Sequence, residues 1–289
     1  MISLLMLLAI FVAMTLQTVF QKSYNARTIN RGAFTFSAIS PVAAAAVFAV
    51  YMLAVGTAPS FSVSYLPYSA AFGISYGLSV VFTVLALQFG PVSLTALLLA
   101  FSLLIPTLYG FLFLGNTPTP LFLVGAVLLA VSLVLINLKK EDRKVNVKWL
   151  ICIAVAFVGN GMCSTVQTKF VNDFAGAGRS EFMLLALVIV IVLMLVVSFV
   201  RERKALGDNV KNGFLQASGY GIANGIINLF VMLLVARGEM PVSIIFPSIS
   251  ACSMIGAFLL STFLYREKMS TRQVVGFFIG AGAVILLNV

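Results

Sequence analysis

The sequence predicts an all-α membrane protein of ten transmembrane helices, arranged as two inverted five-helix repeats. Three observations predict it. Hydrophobic residues make up 61% of the chain against 9% charged, whereas a soluble domain is roughly half apolar and a quarter charged. The apolar residues come in long uncharged runs rather than at amphipathic spacing, and about 20 such residues form a helix that crosses the ~30 Å hydrocarbon layer. Short motifs of the first half also return, in the same order, in the second. The short alternating segments of a membrane β-barrel do not appear.

In chain order the runs span approximately Ile2 to Gln21, Ala33 to Leu53, Leu66 to Gln88, Pro91 to Leu114 and Pro120 to Asn137. The second set covers Trp149 to Thr168, Glu181 to Val200, Phe214 to Ala236, Pro241 to Leu264 and Thr271 to Val289. The first run has no basic stretch before it and no small-x-small cleavage site after it, so it is expected to be retained rather than removed as a signal. Cys152, Cys163 and Cys252 fall inside runs without metal-site spacing and read as packing residues.

The net charge of +10 does not point to nucleic acid, because the basic residues sit in short links beside the spans. Of the 18 Lys and Arg, all but Lys169, Arg179 and Arg237 fall in alternate links. The positive-inside rule puts the basic links in the cytoplasm and both chain ends on the far side. The expected division is residues 1–138 for the first repeat, 139–147 for a charged cytoplasmic connector and 148–289 for the second repeat.

The repeat itself is weak but ordered. Thr18-Val19, Lys22 and Asn25 recur as Thr165-Val166, Lys169 and Asn172; Gly73 and Gly77 as Gly221 and Gly225; Pro91-Val92-Ser93 as Pro241-Val242-Ser243; Gly125 and Asn137 as Gly276 and Asn288. An odd number of spans per half makes the second half enter the membrane inverted, an arrangement typical of secondary transporters.

The stretch from Phe263 to Ser270 (FLYREKMS), followed by Gln273 and Gly276, with Pro106 and Pro247 inside spans, resembles the EamA-like, ten-helix branch of the drug/metabolite transporter superfamily. The likeness covers essentially the whole chain, although Asn116 stands in the first half where Glu267 stands in the second. The resemblance implies a substrate pocket between the halves, lined by the first, third, fourth, sixth, eighth and ninth spans.

All eight acidic residues lie in links or at span ends, and His is absent. Proton relays usually use an acid or His within the bilayer, so coupling through an embedded carboxylate is not expected. An intramembrane hydrolase would need an activated nucleophile or a metal, and the inventory supplies neither. No enzymatic activity, cofactor or metal site is expected.

The spans do carry uncharged hydrogen-bonding groups at helical spacing: Gln17 and Gln21; Asn160, Ser164 and Thr168; Asn224 and Asn228. Residues four apart share a helix face, and an amide turned to lipid without a partner costs a few kcal/mol. Such residues also bridge helices at about 0.6 kcal/mol each, but their recurrence on repeat-related spans favours a shared cavity. Tyr76, at the repeat position of Asn224, would add an aromatic wall and a hydroxyl.

Lys22 and Lys169 could attract an anion if turned inward, while a lysine at a span end ordinarily snorkels to the headgroups. Pro106 and Pro247 would kink their helices.

The sequence thus points to a secondary transporter, exporting or exchanging a small polar metabolite, in a plasma membrane, by default a bacterial inner membrane. Its expected partners are a small-molecule substrate and the lipid bilayer, with no nucleic acid; homo-oligomerisation is left open. A flippase for a lipid-linked sugar, which should show a lateral opening between helices, and a non-transporting scaffold are the alternatives.

Overall fold

A computed structural model describes residues 2–28, 32–90, 92–137, 146–260 and 270–287. Arg31, Pro91, the connector residues 139–145, the segment 263–269 with Glu267, and Asn288 lie outside the described residues. The helices are α1 (Ile2–Arg27), α2 (Ala33–Val55), α3 (Leu66–Phe89), α4 (Val92–Phe101), α5 (Leu104–Phe113) and α6 (Pro120–Asn137). They continue as α7 (Val147–Asp173), α8 (Arg179–Arg201), α9 (Leu206–Arg237), α10 (Val242–Leu259) and α11 (Thr271–Leu287). A short 3-10 turn, Val63–Tyr65, precedes α3. No strand occurs among the described residues.

Six of these helices, α1, α2, α3, α7, α8 and α9, are long and apolar enough to cross a membrane. The chain is a multi-pass membrane protein.

Where sequence and structure differ, the cause is local. The run from Pro91 to Leu114 is not one helix. Pro106 lacks an N–H, and its ring collides with the carbonyl four residues back, which is that of Ser102. There the chain tightens: Ser102 donates its N–H to Leu99 O at 3.2 Å and Ile105 donates to Ser102 O at 3.0 Å, so α4 ends and α5 begins. Pro247, by contrast, stays inside a continuous α10.

Several helices also outrun their apolar spans, α9 the furthest. α9 has 32 residues, roughly 48 Å at 1.5 Å per residue, because its polar first turns with Asp208, Asn209 and Lys211 continue the helix beyond the hydrocarbon layer.

The start of α2 is held from far away in sequence. Its N-cap, Gly32, has φ +41° and offers no side chain to the first turn. Instead the Glu202 carboxylate accepts the N–H groups of Phe34 at 3.0 Å and Thr35 at 2.8 Å and the Thr35 hydroxyl at 2.5 Å. A negative charge at the positive end of a helix dipole is stabilising. Gly32 is enclosed as well as left-handed: the Asn209 amide and the Tyr24 hydroxyl stand where a side chain would have to go.

α7 starts with a local cap. The Asn146 side chain accepts the Trp149 N–H at 2.8 Å and donates to Phe89 O at 2.7 Å, which joins the start of α7 to the end of α3.

Packing runs in pairs. α3 lies along α7, α9 along α1 and α2, α8 along α2 and α3, and α6 along α11; α10 touches α1, α5 and α11. Glycines set the closest crossings. A Cβ on Gly221 would sit 2.1 Å from Ser40 O on α2, and one on Gly73 would sit 2.7 Å from Ile189 on α8. The main core, with Phe48, Phe170, Phe182, Met232 and Phe246, fills the space among α2, α7, α8, α9 and α10.

Two variants test this packing. Gly221→Val should destabilise the folded protein by ~1–3 kcal/mol through overpacking, seen as a lower melting temperature in detergent. Gly207→Ala, where nothing lies within 4 Å of the added carbon, should melt as the parent or higher. Glu202→Ala should lower stability by about 1 kcal/mol, the usual loss on removing a helix cap.

Candidate functional site

A cavity of about 430 Å³ lies between α1, α3, α4, α6, α7, α9 and α10. At ~30 Å³ per water in the liquid, it has room for roughly fourteen waters. Each contributing helix turns a small number of groups toward it: Gln17 from α1, Phe72 and Tyr76 from α3, Asn160, Ser164 and Gln167 from α7, Asn224 and Asn228 from α9, Ser250 and Ser253 from α10. Leucines and other apolar side chains fill the remainder, and none of the described lining residues is charged.

The amides are partly satisfied by one another. Asn160 Nδ2 donates to Ser102 Oγ at 2.6 Å, and that hydroxyl donates to Leu99 O at 2.6 Å. The helix break forced by Pro106 therefore presents Ser102 to α7. Gln167 Nε2 donates to the Asn228 carbonyl at 3.0 Å, tying α7 to α9. Asn228 Nδ2 donates to the carbonyl and the side-chain oxygen of Asn224, each at 2.9 Å.

Gln17 differs. Its Nε2 is buried and has no hydrogen-bond partner among the described residues. A buried donor left without an acceptor costs ~1–3 kcal/mol, which a ligand oxygen in the cavity would recover.

Toward the C-terminal end of α7 an aromatic cluster stands beyond the cavity. Phe170 stacks on Phe182 with centroids 4.3 Å apart, and Tyr65, Tyr68, Phe72 and Phe174 join them at centroid spacings of 4.7–5.9 Å. Tyr68 also donates its hydroxyl to Asp173.

Six of the residues singled out from sequence, Gln17, Tyr76, Asn160, Ser164, Asn224 and Asn228, are brought together on the cavity wall. Gln21 and Thr168 are not. Gln21 is exposed, and Thr168 is fully buried with its hydroxyl donated to Ser164 O at 2.9 Å. The repeat step that takes Thr18 to Thr165 takes Gln21 to Thr168, so one pair of equivalent positions falls off the cavity in both halves.

Lys22 and Lys169 are exposed and line no part of the cavity. Lys169 forms an ion pair with Asp173, one turn on, at 2.8 Å. Pro106 borders the cavity through the break it creates; Pro247 lies one turn from Ser250 on α10.

Gln167, Ser250 and Ser253 were not picked out from sequence. Gln167 breaks the four-residue rhythm by standing three residues after Ser164, yet a carboxamide in the middle of an apolar span always needs a partner or a cavity. That alone would have found it.

No family model matches the chain, and no curated protein matches it. Among solved structures, one crystal structure of a protein superposes with a TM-score of 0.76 at 15% identity, covering 98% of this chain and 95% of the other. The two chains share a fold. At that identity the likeness extends to the fold alone, and the site stands on its own residues.

The unequal pairing of the amides has a measurable result. Gln17→Leu removes an unpaired donor and should melt at the same temperature as the parent or higher. Gln167→Leu breaks a bond that is made and should lose about 1 kcal/mol, read by thermal unfolding in detergent.

Proposed function

We propose that this protein is a secondary transporter that exports or exchanges a small polar metabolite by alternating access. One observation carries the reading: side chains from both halves of the sequence enclose a cavity rich in amides and hydroxyls and free of charge. A void of this size and polarity inside a membrane bundle has little structural use, since apolar filling would pack the helices at lower cost.

The proposed architecture is ten spans in two inverted repeats. Beyond the six long helices, shorter apolar helices at Leu98–Phe113, Pro120–Ile136 and Val242–Ser253 supply further crossings, with α4 and α5 counted as one broken span and α11 as the last. Exchanging α1, α2, α3, α4–α5 and α6 with α7, α8, α9, α10 and α11 maps the packing onto itself: α3 on α7 becomes α9 on α1, α2 on α9 becomes α8 on α3, and α6 on α11 is unchanged. Gly73 against α8 and Gly221 against α2 are a matching pair of close crossings. This supports both the repeat and the resemblance to the EamA-like drug/metabolite transporters. Discontinuous or kinked helices beside a midplane site are common in carriers so built.

In mechanism, the two halves rock about the cavity and expose it to one side at a time. The aromatic cluster around Phe170 and Phe182 serves as the seal at one end, and the Asn160–Ser102 bond links the two moving halves. The described acids, Asp173, Glu181, Glu202, Asp208 and Glu239, all lie at helix ends or in links, which supports a cycle without an embedded carboxylate. The plasma membrane is the proposed location.

The test is uptake of a mixed pool of small metabolites by liposomes containing the purified protein, with accumulated species identified by mass spectrometry. Protein-dependent accumulation should fall at least tenfold in Asn224→Leu and persist in Lys169→Ala. Loss of uptake in Lys169→Ala with Asn224→Leu unaffected would shift the site to the charged helix ends and sink the reading.

A further inference from the structure

A second void adjoins the cavity, and its chemistry is the opposite. It measures about 200 Å³ and lies between α5, α6 and α10, sharing Ala100, Leu103, Leu133 and Ser250 with the cavity wall. Its own lining is leucine, phenylalanine and alanine, with two hydroxyls. Neither hydroxyl is available to a ligand of high polarity: Thr107 donates to Leu103 O at 2.8 Å, and Ser250 donates to Ala100 O at 3.5 Å. A void so lined stays dry and takes apolar matter.

The outer rim is made of Leu104, Leu108 and Leu123, exposed by 46%, 54% and 53%. These face the zone a bilayer would occupy. The shared wall is thin, two of its four residues being the small Ala100 and Ser250, joined only by the long 3.5 Å contact.

We propose that the carried molecule is a neutral amphipath, its polar head held by the carboxamides of the central cavity and a short apolar arm lodged in this side pocket. The proposal rests on the transporter reading and names the substrate class for it. Neutrality follows from the wall, since an isolated charge in a site without counter-charge is strongly disfavoured. The head carries at least one acceptor oxygen, because the buried Gln17 Nε2 has no partner among the described residues. The arm is short: 200 Å³ is roughly seven water-sized groups, and a methylene is of similar size.

The probe is the series of straight-chain primary carboxamides from acetamide to dodecanamide, binding to the full-length protein in lipid nanodiscs. Affinity should rise about fourfold per methylene to roughly seven carbons and then level off. Ala126→Phe, which fills the pocket, and Leu108→Trp, which blocks its rim, should each flatten the rise and leave acetamide binding unchanged; if one fails to fold, the other decides. Gln17→Leu should weaken every member by a similar factor, about five- to tenfold, and keep the slope.

An unaltered slope in both variants means that the chains partition into lipid or lie elsewhere, and overturns the proposal. A rise continuing past ten carbons overturns it in favour of a membrane lipid as ligand. A flat series in which acetamide still binds overturns the side pocket while the carrier stands; failure of the liposome uptake, with the chain-length effect present, overturns the carrier instead.

Discussion

A polar group inside a bilayer has no water to turn to, so each must be paired within the protein or face a wet cavity. That requirement orders this structure more than hydrophobicity does. Apolar side chains are abundant enough to fill any arrangement of helices. Polar groups select the arrangement. Where Pro106 breaks a span, the freed turn is used: Ser102 pairs with its own helix and with Asn160 on α7. Where the start of α2 has no side-chain cap of its own, Glu202 reaches it from the link between α8 and α9. Trp149, fully inside the fold, gives its indole N–H to Thr95 at 2.9 Å.

The same requirement separates what was legible in the sequence from what was not. Spans were legible because twenty uncharged apolar residues have few other uses, and the helices follow the runs closely. Helix ends were less so: Leu206 to Asn212 is polar and reads as a link, but hydrogen bonding within the helix continues after the hydrocarbon ends. The break at Ser102 was marked by Pro106, although the sequence could not say whether the proline would be carried inside the helix, as at Pro247, or end it. The difference lies in tertiary partners, which no local pattern contains.

For the cavity, periodicity found one face of each helix but not its depth. Gln21 follows Gln17 by one turn on the same face, yet that turn carries it out of the bundle. Thr168 follows Ser164 likewise and is sealed in packing. A stripe identifies a direction, and only the neighbouring helices decide how far along it the void extends. Gln167 was hidden for the converse reason, since it lies between two members of a stripe. The charged residues near these stripes are engaged elsewhere, Lys169 with Asp173 and Arg237 with Glu239, so the central cavity is left neutral. Glu239, about half exposed, is held below the usual carboxylate range by Arg237 first and the Ser3 hydroxyl second, which keeps this face in paired ionic form.

The capping of α2 by Glu202 has a temporal side. Its partners Phe34 and Glu202 are 168 residues apart, and synthesis at ~5–20 residues per second separates their appearance by roughly ten to thirty seconds. Through that interval the nascent α2 carries an uncapped start. A second debt runs the same way, since the Ser60 N–H of the early half donates to Glu181 at the start of α8 at 3.3 Å. The first half is not a finished folding unit at the ribosome; it must wait in the membrane for the second, and cutting the chain between them would leave an α2 start without the acceptor that only the second half supplies.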